Sequence, residues 1–239
     1  MHLRSCLSRW RCWAWLMLCG VLVVAAARQL TRPLWGDSVI AMSIGGTYEY
    51  MRDHSTAPLA IWGHVGRPVW GGASRTAARL RFVDPQYGFE TPPARFFTFT
   101  FEGHLVGDIR MSPQVEPLLI DDALKVVLDL QAQWCAKGWR PLGTPLHPTI
   151  ADTPEWRAYL RPGIRTGTTY WRAGDQYEVM LFIGRFADSR HPDQERYLIT
   201  LELSKPWRFE GMEHVDEVPH PFPPPQPEQG AIPCQPPLS

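Results

Sequence analysis

The chain reads as an α+β protein. Its expected form is a mainly antiparallel sheet covered on one face by a long helix (about 121–137) and a short helix (about 153–160), preceded by an N-terminal signal or transmembrane helix. Three observations predict this. Phe97, Phe99 and Phe101 alternate with Thr98 and Thr100 ahead of a Glu102-Gly103-His104 turn, the pattern of a hairpin with one buried face. Leu124, Val127, Leu128, Gln131, Trp134 and Cys135 recur at helical spacing. The segments follow in the order strands, helix, helix, strands, which favours pairing between sequence neighbours.

The first element is a leader. Arg4, Arg9 and Arg11 precede Cys12 to Ala27, sixteen residues without a charge, and Ala25-Ala26-Ala27 supplies small residues for a signal peptidase. Sixteen helical residues span about 24 Å, which a thin bilayer accepts, and Trp10, Trp13 and Trp15 suit an interfacial belt. Cleavage after Ala27 and retention as a single anchor through residues 10–27 therefore both fit. Either way the arginines favour a cytoplasmic N-terminus and an exported, periplasmic body, with residues 28–210 as the α+β domain and 211–239 as a tail.

Beyond the leader, a strand signal runs from Val39 to Ile44, and Leu59 to Val65, Pro68 to Trp70 and Ala78 to Val83 follow as small strands read as antiparallel. Thr47 can cap a turn of helix through Asp53. The hairpin from Phe96 to Met111 leads to the long helix, where Asp121 or Asp122 can cap and Gly138 stops. Asp152-Thr153-Pro154-Glu155 opens the short helix, combining a cap, a first-turn proline and an acid. Strands follow from Thr166 to Arg172, Gln176 to Gly184 and, after a polar loop at Asp188 to Glu195, Arg196 to Leu203. From Pro219 to Ser239, nine of twenty-one residues are proline, so that stretch forms neither helix nor central strand.

Charge and cysteine usage narrow the function. Without the leader the chain carries 21 cationic and 24 acidic residues, a net of −3, which excludes a nucleic-acid binder. Cys6, Cys12 and Cys19 lie in the leader, leaving Cys135 and Cys234 in an oxidising compartment, where they can bridge or stay as a buried thiol and a tail thiol.

No nucleophile elbow, P-loop or metal cage is present, so the sequence nominates no catalytic residue, no metal and no cofactor. His214 and His220, near Glu213, Asp216 and Glu217, are explained by the polar composition of the tail. Eight tryptophans follow the leader, and Trp62, Trp70 and Trp171, in short strands, are the candidates for an exposed recognition surface.

Two stretches, Ile44-Gly-Gly-Thr-Tyr-Glu-Tyr-Met-Arg52 and Phe96 to Trp139 with its Cys-Ala-Lys-Gly-Trp ending, resemble small exported proteins of the type VI secretion immunity-protein kind. The resemblance covers about residues 38–205, points to no named family and carries no functional residue across by position. It implies a non-enzymatic periplasmic binding protein that occludes a secreted toxin with a sheet edge or an aromatic patch. A structural accessory of a bacterial envelope or secretion assembly, a peptidoglycan or glycan-binding module and an uncharacterised enzyme are the other readings.

Overall fold

The computed structural model describes residues 38–62, 69–72, 77–142, 146–163, 166–206, 224–226 and 234, with the backbone alone for 60–62 and 69–72. Among these residues two sheets and three helices make up an α+β fold in which strand pairing is mostly antiparallel. Residues 1–27, expected to be a leader, lie outside the described residues. Among the described ones no helix is long and apolar enough to cross a membrane.

The smaller sheet has three strands, ordered β1 (Val39–Met42), β4 (Arg79–Phe82) and β5 (Phe89–Glu90). The segment read as an antiparallel strand from Ala78 to Val83 does pair antiparallel with β5, but on its other edge β1 and β4 run parallel, with Val39 opposite Arg79 and Met42 opposite Phe82. Every residue of β1 is buried, the two-sided burial typical of a parallel strand. Helix α1 (Tyr48–His54) follows β1, capped by the Thr47 hydroxyl accepting from Tyr50 N–H. The chain leaving α1 then closes the free edge of β1. Thr56 Oγ1 accepts from Val39 N–H at 2.9 Å and Ser55 Oγ from Ala41 N–H at 3.0 Å. At the other edge Gln133 exchanges two hydrogen bonds with the backbone of Glu90. Side chains thus satisfy both edges of this small sheet.

The larger sheet has eight strands, all antiparallel, in the order β2 (Ala60–Trp62), β3 (Val69–Gly72), β6 (Phe97–Glu102), β7 (Leu105–Met111), β11 (Arg196–Ser204), β10 (Tyr177–Phe186), β9 (Thr166–Ala173) and β8 (Arg140–Pro141). The phenylalanines of β6 point inward, with Phe97 only 1% exposed, while Thr98 and Thr100 are half-buried on the outer face. In β10 and β11, Val179, Leu181, Ile183, Tyr197, Ile199, Leu201 and Leu203 continue the inner face.

Helix α2 (Ile120–Ala136) packs its buried Leu124, Val127, Leu130 and Trp134 against β10, β11 and β5, so it touches both sheets. Leu119, not Asp121 or Asp122, occupies the cap position and its side chain makes no capping bond. The two aspartates lie in the first turn, where their charge complements the helix dipole, and Asp121 accepts from Arg157 at 2.5 Å. Gly138, at φ +86°, takes the left-handed conformation that ends the helix, a conformation strained for any residue with a Cβ. Helix α3 (Pro154–Leu160) is capped by Thr153 and buries Trp156, Tyr159 and Leu160 beside β9.

Aromatic rings fill the junction of the layers. Trp134 meets Trp171 at 5.5 Å between centroids and Phe89 edge-on at 5.7 Å, while Trp139 donates its indole N–H to the Tyr87 carbonyl. Asp84 accepts from Gln86 and Tyr87 N–H and from the Tyr177 hydroxyl, tying the β4–β5 turn to β10. Two buried glutamines staple loops to this body. Gln131 both donates to and accepts from the Ile150 backbone, and Gln114 joins Glu116 and Tyr197 carbonyls to the Ile199 N–H.

Candidate functional site

Antiparallel pairing gathers the start of β6, the end of β7, the start of β11, the end of β10 and the start of β9 at one end of the large sheet. The β7–α2 segment, 112–119, runs beside the start of β11 through reciprocal backbone bonds between Leu118 and Tyr197. Arg196 adds a bond to the Pro117 carbonyl at 2.9 Å. Ser112 N–H reaches the Phe96 carbonyl, which brings Phe96 into the same neighbourhood.

This end carries exposed apolar side chains. Phe96 is 50% exposed, Val115 40%, Leu119 46% and Phe186 42%, and Leu105 is the remaining large exposed apolar residue among the described ones. Scattered single apolar residues on a surface need no explanation, but four on neighbouring segments do.

A cleft of about 460 Å³ opens beside Phe186, between Pro162-Gly163 and the β10–β11 loop. That loop runs from 187 to 195, nine residues, where a tight hairpin needs only two. Its order comes from Asp188, 4% exposed at the side chain, whose oxygens accept from Arg190 Nε, Nη2 and backbone N–H and contact His191 Nδ1 at 3.1 Å. Arg190 first, then His191, holds the Asp188 carboxyl far below the usual carboxylate range. The carboxylate is therefore charged, neutralised locally and committed to fixing the loop.

On the facing wall Arg185 donates from Nη1 to the Arg161 carbonyl at 2.8 Å. Gly163 has φ +76°, and a Cβ there would lie 3.5 Å from the Arg185 side chain, so this turn and the arginine fit closely. Arg161 pairs with Glu195 at 3.4 Å across the cleft mouth, with both side chains largely in water. That pair contributes little to stability. Arg185 and Arg196 bond only to uncharged oxygens and pair with no carboxylate among the described residues.

The candidates read from the sequence lie elsewhere. Trp171 is 0% exposed, with its ring against Trp134, so it offers no face to a partner and is corrected from recognition residue to core. Its strand alternates Gly167, Thr169, Trp171 and Ala173 inward against Thr168, Tyr170 and Arg172, a pattern in which Trp171 is the one large apolar residue of the inner face and Tyr170 offers an aromatic ring on the other. Trp62 is the register partner of Trp70, and Trp70 that of Thr100; their side chains lie outside the described residues.

Cys135 and Cys234 are joined in a disulfide with Cα atoms 5.1 Å apart. The Cys234 carbonyl also accepts from Arg140 Nη1 at 2.8 Å, which fastens this point of the tail to edge strand β8. His214 and His220 lie outside the described residues, and no group of three or more His, Cys, Asp or Glu among the described ones could hold a metal.

Three buried donors, Trp134 Nε1, Trp171 Nε1 and Thr169 Oγ1, have no hydrogen-bond partner among the described residues. The two indoles sit in the aromatic junction, and none of the three residues lines the cleft. The cleft itself was legible only as a polar loop, although its nine-residue length between two well-defined strands is a signal in its own right. No protein family, curated protein or solved structure matches this chain.

Proposed function

We propose that the chain is a non-enzymatic binding protein of a bacterial cell envelope, an immunity-type inhibitor that occludes a secreted toxin with the loop end of its large sheet. The observation that carries this reading is the gathering of Phe96, Val115, Leu119 and Phe186, all exposed, on neighbouring segments that also carry Arg185 and Arg196. Exposed aromatic anchors beside arginines match the composition of protein-binding hot spots.

A periplasmic location, with residues 1–27 as a cleaved signal or an inner-membrane anchor, belongs to the same proposal. The Cys135–Cys234 bridge supports it, because such bonds persist in oxidising compartments. The glycan-binding reading loses one of its three platform residues to the core at Trp171. Co-purification with the product of the adjacent gene, followed by a growth assay with that product expressed in the periplasm, tests the function. Stable association and rescued growth are expected. Rescue without association, or neither, refutes the proposal.

A further inference from the structure

We infer that the cleft beside Phe186 receives an acidic segment of the protein partner, with Arg185 binding a carboxylate and Phe186 packing against an adjacent apolar side chain; this rests on the partner-binding reading above. A guanidinium has five N–H donors in a planar fork, and the described contacts of Arg185 use one of them, on the Arg161 carbonyl. That single bond fixes the side chain along the wall and leaves donors free for an incoming acceptor. Of the cleft's charges, Asp188 is already neutralised by Arg190, so the uncompensated one is positive.

The ligand class follows from this charge and from size. A cleft of about 460 Å³ lies within the range that holds a few side chains, and Pro162, Phe186 and Pro192 give it apolar walls. A carboxylate matches the guanidinium in two parallel hydrogen bonds, whereas a cationic segment would meet an unpaired arginine. The net of −3 beyond the leader gives no long-range attraction for polyanions, so selection is by contact at this one arginine. Preorganisation comes from the loop, whose Asp188 lock keeps Phe186 and Arg185 from having to order on binding.

The test uses the full-length chain and two blocked ten-residue peptides, one alternating Glu with Leu and Phe, the other with Lys in place of Glu. Amide shifts are followed by NMR. The acidic peptide is expected to move Gly163, Phe186 and His191, and the lysine peptide to leave them in place. Arg185→Gln, which keeps a donor for the Arg161 carbonyl, and Phe186→Ser should each weaken binding at least about tenfold, while Arg110→Glu on the outer sheet face changes it less than about twofold.

Equal response to both peptides, binding that leaves the cleft unmoved, or an unaffected Arg185→Gln variant would overturn the inference. A second arm measures the complex with the adjacent gene's product. A complex indifferent to Arg185→Gln and Phe186→Ser overturns the cleft assignment and leaves the binding-protein reading standing. Failure of any complex to form counts against that reading, while the peptide shifts still decide what the cleft accepts.

Discussion

Reducing the Cys135–Cys234 bridge, or replacing Cys135 by Ser, removes a crosslink between residues 99 apart in sequence, one on helix α2 and one beyond the last strand. If the bridge acts by restricting the unfolded chain, a loop of this length stabilises the fold by about 4.7 kcal/mol at 25 °C. That figure is a ceiling, because any ordering or strain that the crosslink imposes on the native state is subtracted from it. Against it, the bond also positions the Cys234 carbonyl on Arg140, worth about 1 to 2 kcal/mol for a bond to a charged donor that is partly in water. Taking the usual net effect of a bridge, about 2 to 4 kcal/mol, and a urea dependence of about 2 kcal/mol per molar, the unfolding midpoint should fall by about 1 to 2 M on reduction, and by no more than about 3 M. Tryptophan fluorescence follows the transition, since Trp134, Trp139 and Trp171 are fully buried. Coincident urea curves for the oxidised and reduced protein would refute the account and reduce the bridge to an ornament of the tail.

Gln114→Leu keeps the volume of a buried side chain but strands the Ile199 N–H and leaves the Tyr197 carbonyl with Leu118 N–H as its remaining donor, so it should cost about 1 to 3 kcal/mol and speed hydrogen exchange at Leu118 and Ile199. Exchange at these amides that matches the parent would show that Gln114 does not hold the 112–119 segment. Trp171→Ala should cost about 3 to 5 kcal/mol by opening a cavity, and Trp171→Phe far less, since the indole N–H it removes has no partner among the described residues. Partner affinity per folded molecule should be the same in both variants; a selective loss would restore Trp171 as a recognition residue.

Burial first, and then the hydrogen bond to Asp84, pushes the Tyr177 phenol up to about 12 from its ordinary 10.0. The neutral phenol is thus favoured by the fold. Its contribution is whole below pH 10 and is lost as pH rises through about 12, and Tyr177→Phe should lose that alkaline dependence in urea melts. An unchanged alkaline profile in the variant would assign the dependence to another group.

Much of the architecture was legible because burial in this protein is periodic where its elements are long. The Phe-Thr alternation of β6, the helical spacing from Leu124 to Trp134 and the Thr153-Pro154 helix start each repeat one physical requirement over several residues. What escaped reading was short or non-local. Strands β5 and β8 contain two residues each, too few for any period, and β1 finds its parallel partner β4 far along the chain.

The cap at α2 misled because acidic residues at 121 and 122 satisfy the helix dipole from within the first turn, leaving the cap position to Leu119. At the site, Arg185, Asp188 and His191 look like ordinary loop polarity. Their meaning depends on Pro162 and Gly163, which belong to another connection and reach the cleft only through the β9–β10 pairing.

A sheet-based binding protein has three kinds of surface to offer, and the structure favours one of them. Edge pairing needs a long unpaired strand, yet β8 has two residues including Pro141, β2 has three, and side chains close both edges of the small sheet. On the outer face of the large sheet, the charged side chains among the described residues have partners of their own. Arg172 pairs with Glu178, whose side chain is 6% exposed, and Thr100 donates to Asp108. Burial pushes the Glu202 carboxyl upward there, with Arg110 opposing the shift, so a partner covering this face would strip water from charges that already have their counterparts.

The loop end differs in both respects. Its apolar side chains remain exposed, Arg185 and Arg196 have no carboxylate partner among the described residues, and its loops are held by buried Asp188 and Gln114. Covering that end gains apolar burial and gives the arginines a counter-charge while little of the loops remains to be ordered. If the chain is the binding protein proposed above, the balance of desolvation, charge and ordering favours the loops that join the strands as its contact surface, with the strands as their rigid support.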